Sequence, residues 1–146
     1  MTTTANLGMT LLTVGQTGKE TSVNDALLLI DAAAGAFDVS GFFIGLPAAT
    51  QLIGRFVAVR AFTLPVSLTG SKGRVVVNAT VADALFDIQK NGSSIGTMTF
   101  AVATATATFI FASPVTFAAG DYLDVFGPGT PNAALSTVAW TFKGVL

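Results

Sequence analysis

From about Gly45 onward the chain runs in short stretches of Val, Phe, Ile and Thr. Turn residues break them at intervals of roughly 8–12 positions, the spacing of an all-β domain. Stretches suited to strands are Gly54 to Leu64, Arg74 to Val81, Leu85 to Lys90, Ile95 to Val102, Thr106 to Ala112, Tyr122 to Phe126 and Thr137 to Val145. About seven such strands predict a mainly β fold, an antiparallel β-sandwich of jelly-roll-like type. Period-two alternation assigns the faces. Phe86 and Ile88, Phe109 and Phe111, and Val138, Trp140 and Phe142 point to the core, while Asp87, Gln89, Thr108, Ile110, Thr141 and Lys143 point away. Asn91-Gly92 supplies two residues that tolerate positive φ, as a type I′ turn requires, so Leu85 to Lys90 should pair with Ser94 to Phe100 as a hairpin.

Ahead of the strands, Met1 to about Thr21 carries Gly8, Gly15 and Gly18 and reads as an extended arm. Ser22 to Phe37 reads as the one helix, with Ser22 as its N-cap and Asp25 in the first turn against the positive end of the helix dipole. Val23, Ala26, Leu27, Ile30, Ala33, Ala34 and Phe37 form an apolar stripe at helical spacing, expected to cover the core. Leu28 and Leu29 fall largely outside that stripe and need a second surface, supplied either by the rest of the chain or by neighbouring subunits around a symmetry axis. The organisation expected is an arm-and-helix segment over residues 1–40 and a sandwich over residues 41–146.

Only 10% of the residues are charged and 51% are hydrophobic, whereas an ordinary globular domain has about 25% charged residues. Such a surface implies extensive contact with other protein. The uncharged tract Ala101 to Thr108 fits that picture if it lies at a sheet edge, where monomers normally place charges that forbid further pairing; as a central strand it needs no partner. The longest aliphatic run, Ala26 to Ile30, stops at Asp31, far short of the roughly 20 residues of a membrane span. No basic start with an apolar block opens the chain, so synthesis and retention in a cytoplasm are expected. The 7 basic and 8 acidic residues are scattered and offer nucleic acid no positive stripe.

The chain has no Cys and no His, which removes thiol nucleophiles, disulfides, thiolate or imidazole metal sites and every triad built on an imidazole base. Asp121 follows Gly120 and is expected to accept backbone hydrogen bonds in a turn. Its spacing from Asp124 puts the two on opposite faces of a strand, which makes them poor partners; the lesser alternative for Asp121 is a calcium role with loop carbonyls, since an oxygen-only site needs no His. Asp83 and Asp87 could act as an acid–base pair only if one strand ran through both. Gly127-Pro128-Gly129 and Gly70-Ser71-Lys72-Gly73 are turns that lack the pattern of a phosphate-binding loop. Tyr122 and Trp140 would make a sugar platform if exposed, although Trp140 sits on the core-facing register. No catalytic residue, cofactor or metal is expected.

Asn6, Leu7 and Gly8, then Gln16, Lys19, Thr21 and the run Asn24, Asp25, Ala26 and Leu27, resemble the N-terminal segment of bacteriophage and gene-transfer-agent virion proteins. Further on come Gly70-Ser71, then Phe86, Ile88, Lys90, Asn91 and Gly92, then Ile95, Gly96, Thr97 and Phe100, then Gly120-Asp121 and Pro128 to Asn132. That order resembles a β-sandwich module of phage appendages. The resemblance implies a non-enzymatic structural protein of a tailed-phage virion, assembled in the bacterial cytoplasm. Fibres with such a segment are usually longer, so a short fibre, spike or head decoration protein is expected for a chain with one β domain. Implied partners are capsid, neck or tail proteins and further copies of the chain, with a trimer favoured. Docking and oligomerisation are assigned to Asn6, Leu7, Gly8, Gln16, Lys19, Leu27, Leu28, Leu29 and Ile30. The alternative is a module that binds a host-surface protein or glycan through loops such as Gly127 to Ala134. Neither nucleic acid nor membrane insertion is expected.

Overall fold

The structure is a computed structural model that describes residues 2–11 and 19–146. Its elements are α1 (Lys19–Ala34), β1 (Ala36–Phe43), β2 (Leu52–Val57), β3 (Phe62–Leu64), β4 (Lys72–Val77), β5 (Ala84–Lys90), β6 (Ser93–Phe100), β7 (Thr108–Ile110), β8 (Val115–Phe117), β9 (Tyr122–Phe126) and β10 (Ser136–Val145). A short 3-10 turn, Val66–Leu68, separates β3 from β4. Contacts divide the chain into two compact units, Met1–Ala36 with Leu146, and Phe37–Val145. The sequence boundary at residue 40 therefore falls inside β1.

The Asn91-Gly92 turn organises the larger unit. Asn91 has φ 49° and Gly92 φ 82°, as a type I′ turn demands, and the hairpin runs from Lys90 opposite Ser93 to Ala84 opposite Phe100. This turn lies at the middle of residues 37–145, and the strands on either side pair in nested fashion: β5 with β6, β3 with β8, β2 with β9, and β1 with β10. The chain is thus one long two-stranded ribbon whose successive pairs alternate between sheets. One sheet has the order β1-β10-β3-β8, with β4 also along β10, and the other has β2-β9-β5-β6-β7. This winding is that of a jelly-roll β-sandwich.

The alternation read from the sequence holds. Phe86, Ile88, Phe111, Val138, Trp140 and Phe142 are buried, while Thr108, Ile110 and Lys143 are exposed. Phenylalanine fills much of the core. Phe62 of β3 stacks on Phe117 of its partner strand β8 at 4.8 Å between ring centres, and Phe86 meets Phe100 edge-on at 5.7 Å across the β5/β6 hairpin. Such pairs contribute roughly 0.5–1.5 kcal/mol beyond the burial of their area.

Several strand limits differ from expectation. The stretch Gly54 to Leu64 is two strands in different sheets, because the chain changes sheet over residues 58–61. The run from Arg74 to Val81 forms strand only as Lys72–Val77, and Thr106 to Ala112 only as Thr108–Ile110. Strands β1 and β8 were not among the expected seven. The Ala101 to Thr108 tract is neither a bare edge nor a central strand: Ala105 O and Ala107 N bond Val75 N and Gly73 O, so the tract caps the free side of β4.

In the smaller unit the expected extended arm is instead a folded-back turn over its described residues. Thr4 N bonds Met9 O, Leu11 N bonds Thr2 O, and Gly8 at φ 63° turns the chain. Helix α1 starts at Lys19, inside the expected arm, so Ser22 lies within the helix and is not its N-cap. It ends at Ala34, before Gly35, and Phe37 belongs to β1. Gly35 is required by close approach, since a Cβ there would lie 2.4 Å from Asn6 Nδ2.

Candidate functional site

Asp31 stands in the last turn of α1, where the helix dipole disfavours a carboxylate. The N-terminal turn offsets this. Leu7 N donates to Asp31 Oδ1 at 2.6 Å and Asn6 N at 3.0 Å, while the Asn6 amide donates to Asp31 Oδ2 at 3.2 Å and to Asp31 O at 3.1 Å. Thr4 is buried beside them, and its hydroxyl accepts from Met9 N. Burial alone would raise the Asp31 carboxyl, but the donors from Leu7, Asn6 and Thr4 outweigh it and hold the group below the ordinary carboxylate value. The Asn6-Leu7-Gly8 motif is therefore a clasp that fastens the chain start to the helix. Sequence reasoning did not single out Thr4 or Asp31, although an acid at the wrong end of a greasy helix was a usable signal.

The clasp covers one side of α1 and leaves the rest bare. Asp31 is buried and Leu27 half-buried, whereas Leu28 (47% exposed), Leu29 (73%) and Ile30 (55%) face outward. Of the expected apolar stripe, Val23, Ala26, Ala33 and Ala34 are exposed too. Of the expected docking residues, Asn6 and Leu7 hold Asp31, Gly8 makes the turn, Lys19 opens the helix, and Gln16 lies outside the described residues.

In the sandwich Asp83, Asp87, Asp121 and Asp124 are engaged by neighbours. Asp124, 2% exposed, takes a bidentate pair from Arg55 at 2.7 and 2.8 Å, which raises the guanidinium further above its usual value. Asp121 accepts from Asn91 Nδ2 and Ala118 N, both at 2.8 Å, and faces Lys90 Nζ at 3.1 Å; these partners hold its carboxyl down to about 2. The turn role expected for Asp121 is what the structure shows. Asp87 accepts from Gln89 and Ser94, and Asp83 lies outside β5 and accepts from Val102 N, so no strand joins the two as an acid–base pair. Among the described residues no group of acidic side chains is gathered as a metal site would require.

Neither aromatic forms an open platform. Trp140 is 5% exposed, and the half-buried Tyr122 ring lies under the Arg55 guanidinium at 4.6 Å. The loop Gly127 to Ala134 is pinned by buried Asn132, which accepts from Thr80 N and Ala134 N and donates to Ala82 O. Among the described residues no helix is long and apolar enough to cross a membrane. No protein-family model matches the chain, and no curated protein shows a significant match to it.

Proposed function

We propose that this chain is a non-enzymatic structural protein of a phage virion, a short fibre, spike or decoration protein that docks by its N-terminal unit and presents the sandwich. The exposed apolar surface of α1 carries this reading. Leu28, Leu29 and Ile30 stand in water on a helix already fastened to its own chain start, and burying each such side chain is worth roughly 1.5–3 kcal/mol. Protein, not an anionic lipid surface or nucleic acid, suits a 16-residue helix whose only base is Lys19 beside the acids Glu20, Asp25 and Asp31. Copies of α1 would pack on one another, with a trimer favoured, and the clasped turn would meet a capsid, neck or tail protein. The jelly-roll winding supports the reading by analogy alone, since viral capsid and lectin domains share it.

Light scattering of the full chain should give the mass of several copies, and the double variant Leu29→Glu, Ile30→Glu should give that of one. Removal of residues 1–20 should abolish incorporation into particles. A truncated chain that still joins virions ends the docking role.

A second reading, a binding module for a host glycan, is favoured by a groove in the sandwich rather than by the loop Gly127 to Ala134.

A further inference from the structure

Strand β10 forms the floor of a groove on the outer face of its sheet. Over the groove its outward side chains Thr137, Ala139 and Thr141 are small, and the larger Lys143 and Val145 follow on the same face beyond it. On one side Ala139 lies opposite Arg74 and Thr141 opposite Lys72 of β4; on the other, Ser40 of β1 meets Thr141 with its hydroxyl at 2.9 Å. Phe42, 70% exposed, completes the second wall. The groove measures about 350 Å³, and Arg74 and Ala139 also border a second depression of about 360 Å³ that reaches Val76 and Thr137. The two lie side by side along β10, with Arg74 and Ala139 on the border of both.

The chemistry of this channel narrows its occupant. Lys72 and Arg74 have no ion-pair or hydrogen-bond partner for their side chains among the described residues, so one wall presents two free cations. The opposite wall presents an aromatic ring without a packing role, and hydroxyls line the floor. Ala is a weak strand former, and at 139 it faces solvent; its effect is to keep the floor low between taller walls. A peptide strand finds little here, because β10 is already paired on both sides, to β1 and to β3 and β4, and strand addition needs an open edge. Remaining are an aromatic face for C–H stacking, hydroxyls, and a planar guanidinium that matches a carboxylate.

We propose that this groove binds an acidic oligosaccharide, a chain of sugars bearing carboxylates of the uronic-acid type, with Phe42 under a sugar ring and Arg74 and Lys72 on carboxylates. The assignment concerns the sandwich alone and stands whether or not α1 docks.

The test uses the full chain and α-1,4-linked trigalacturonate, read through Trp140, the single tryptophan, whose ring packs against Gly41 of the groove wall. A saturable emission change is expected. Arg74→Gln, Lys72→Gln and Phe42→Ala should each weaken it about fivefold or more, the loss of one charge-assisted or stacking contact, with circular dichroism unchanged. Arg60→Gln, an exposed cation in the connection between β2 and β3 and outside the groove lining, should bind as the parent does. Maltotriose, neutral and of equal length, should bind about tenfold more weakly or worse. Unaltered binding by Arg74→Gln, equal affinity for maltotriose, equal affinity for hexaglutamate, or no response up to about 10 mM trigalacturonate would each overturn the proposal.

Discussion

In the sandwich, Phe62, Phe86, Phe100, Phe111, Phe117 and Phe142 are all shut away from water, and the Asp124 carboxylate beneath Arg55 is paired through both oxygens. In α1, Leu28, Leu29 and Ile30 are exposed, and the buried acid Asp31 is satisfied by the chain start rather than by a cation. Both regions are rich in apolar residues, with opposite results. Where apolar residues alternate, two sheets can enclose them within one chain. Where they follow one another, as at Leu27 to Ile30, a lone helix cannot hide them all, and the excess calls for another surface.

The contrast can be broken at its strongest point first. Phe86→Ala should cost the sandwich about 3–5 kcal/mol in chemical denaturation; a loss below 1 kcal/mol would mean that the core is not the source of its stability. Gly41→Ala should cost about 1–3 kcal/mol, because the added Cβ would sit 2.4 Å from the Trp140 ring. Leu29→Ala should change unfolding of the isolated fold by about 0.5 kcal/mol or less while it weakens self-association in sedimentation; equal loss in both would erase the distinction between the regions.

The smallest effect is local and depends on pH. The Asp31 carboxyl is held below its unfolded value, so the clasp contributes at neutral pH, and its contribution fades as pH falls below about 3.9 toward the folded value. Amide exchange at Asn6 and Leu7 should then accelerate, and Asp31→Asn should reproduce that at neutral pH without altering exchange in β5 or β6. Asp121, with its carboxyl held at about 2 by Asn91, Ala118 and Lys90, braces the hairpin in the same sense.

Much of the sandwich was legible because its signals are local. Asn91-Gly92 announces its own turn geometry, and Phe86/Asp87/Ile88/Gln89 shows its two faces within one strand. Strand β1 was missed because the alanine run into Phe37 prolongs a helical pattern, although Gly35 is a stop signal and Phe37, Val39, Gly41 and Phe43 then alternate as a strand does. Strand β8, three residues after Pro114, is too short to show a period. The clasp joins residues separated by 25 positions, and the groove draws Phe42, Arg74 and Ala139 from three strands. Such meetings arise only once the winding is known.

The nested pairing has a consequence for biosynthesis. Among the described residues, none of β1 to β5 pairs with another of those five; each finds its hydrogen-bonding partner in β6 to β10. A nascent chain leaving the ribosome therefore cannot finish either sheet while only its first half is out. The hairpin can close as soon as β6 emerges, and the outermost pair, β1 with β10, must wait for the last strand to be translated. Until then the early strands depend on chaperones or on their own solubility.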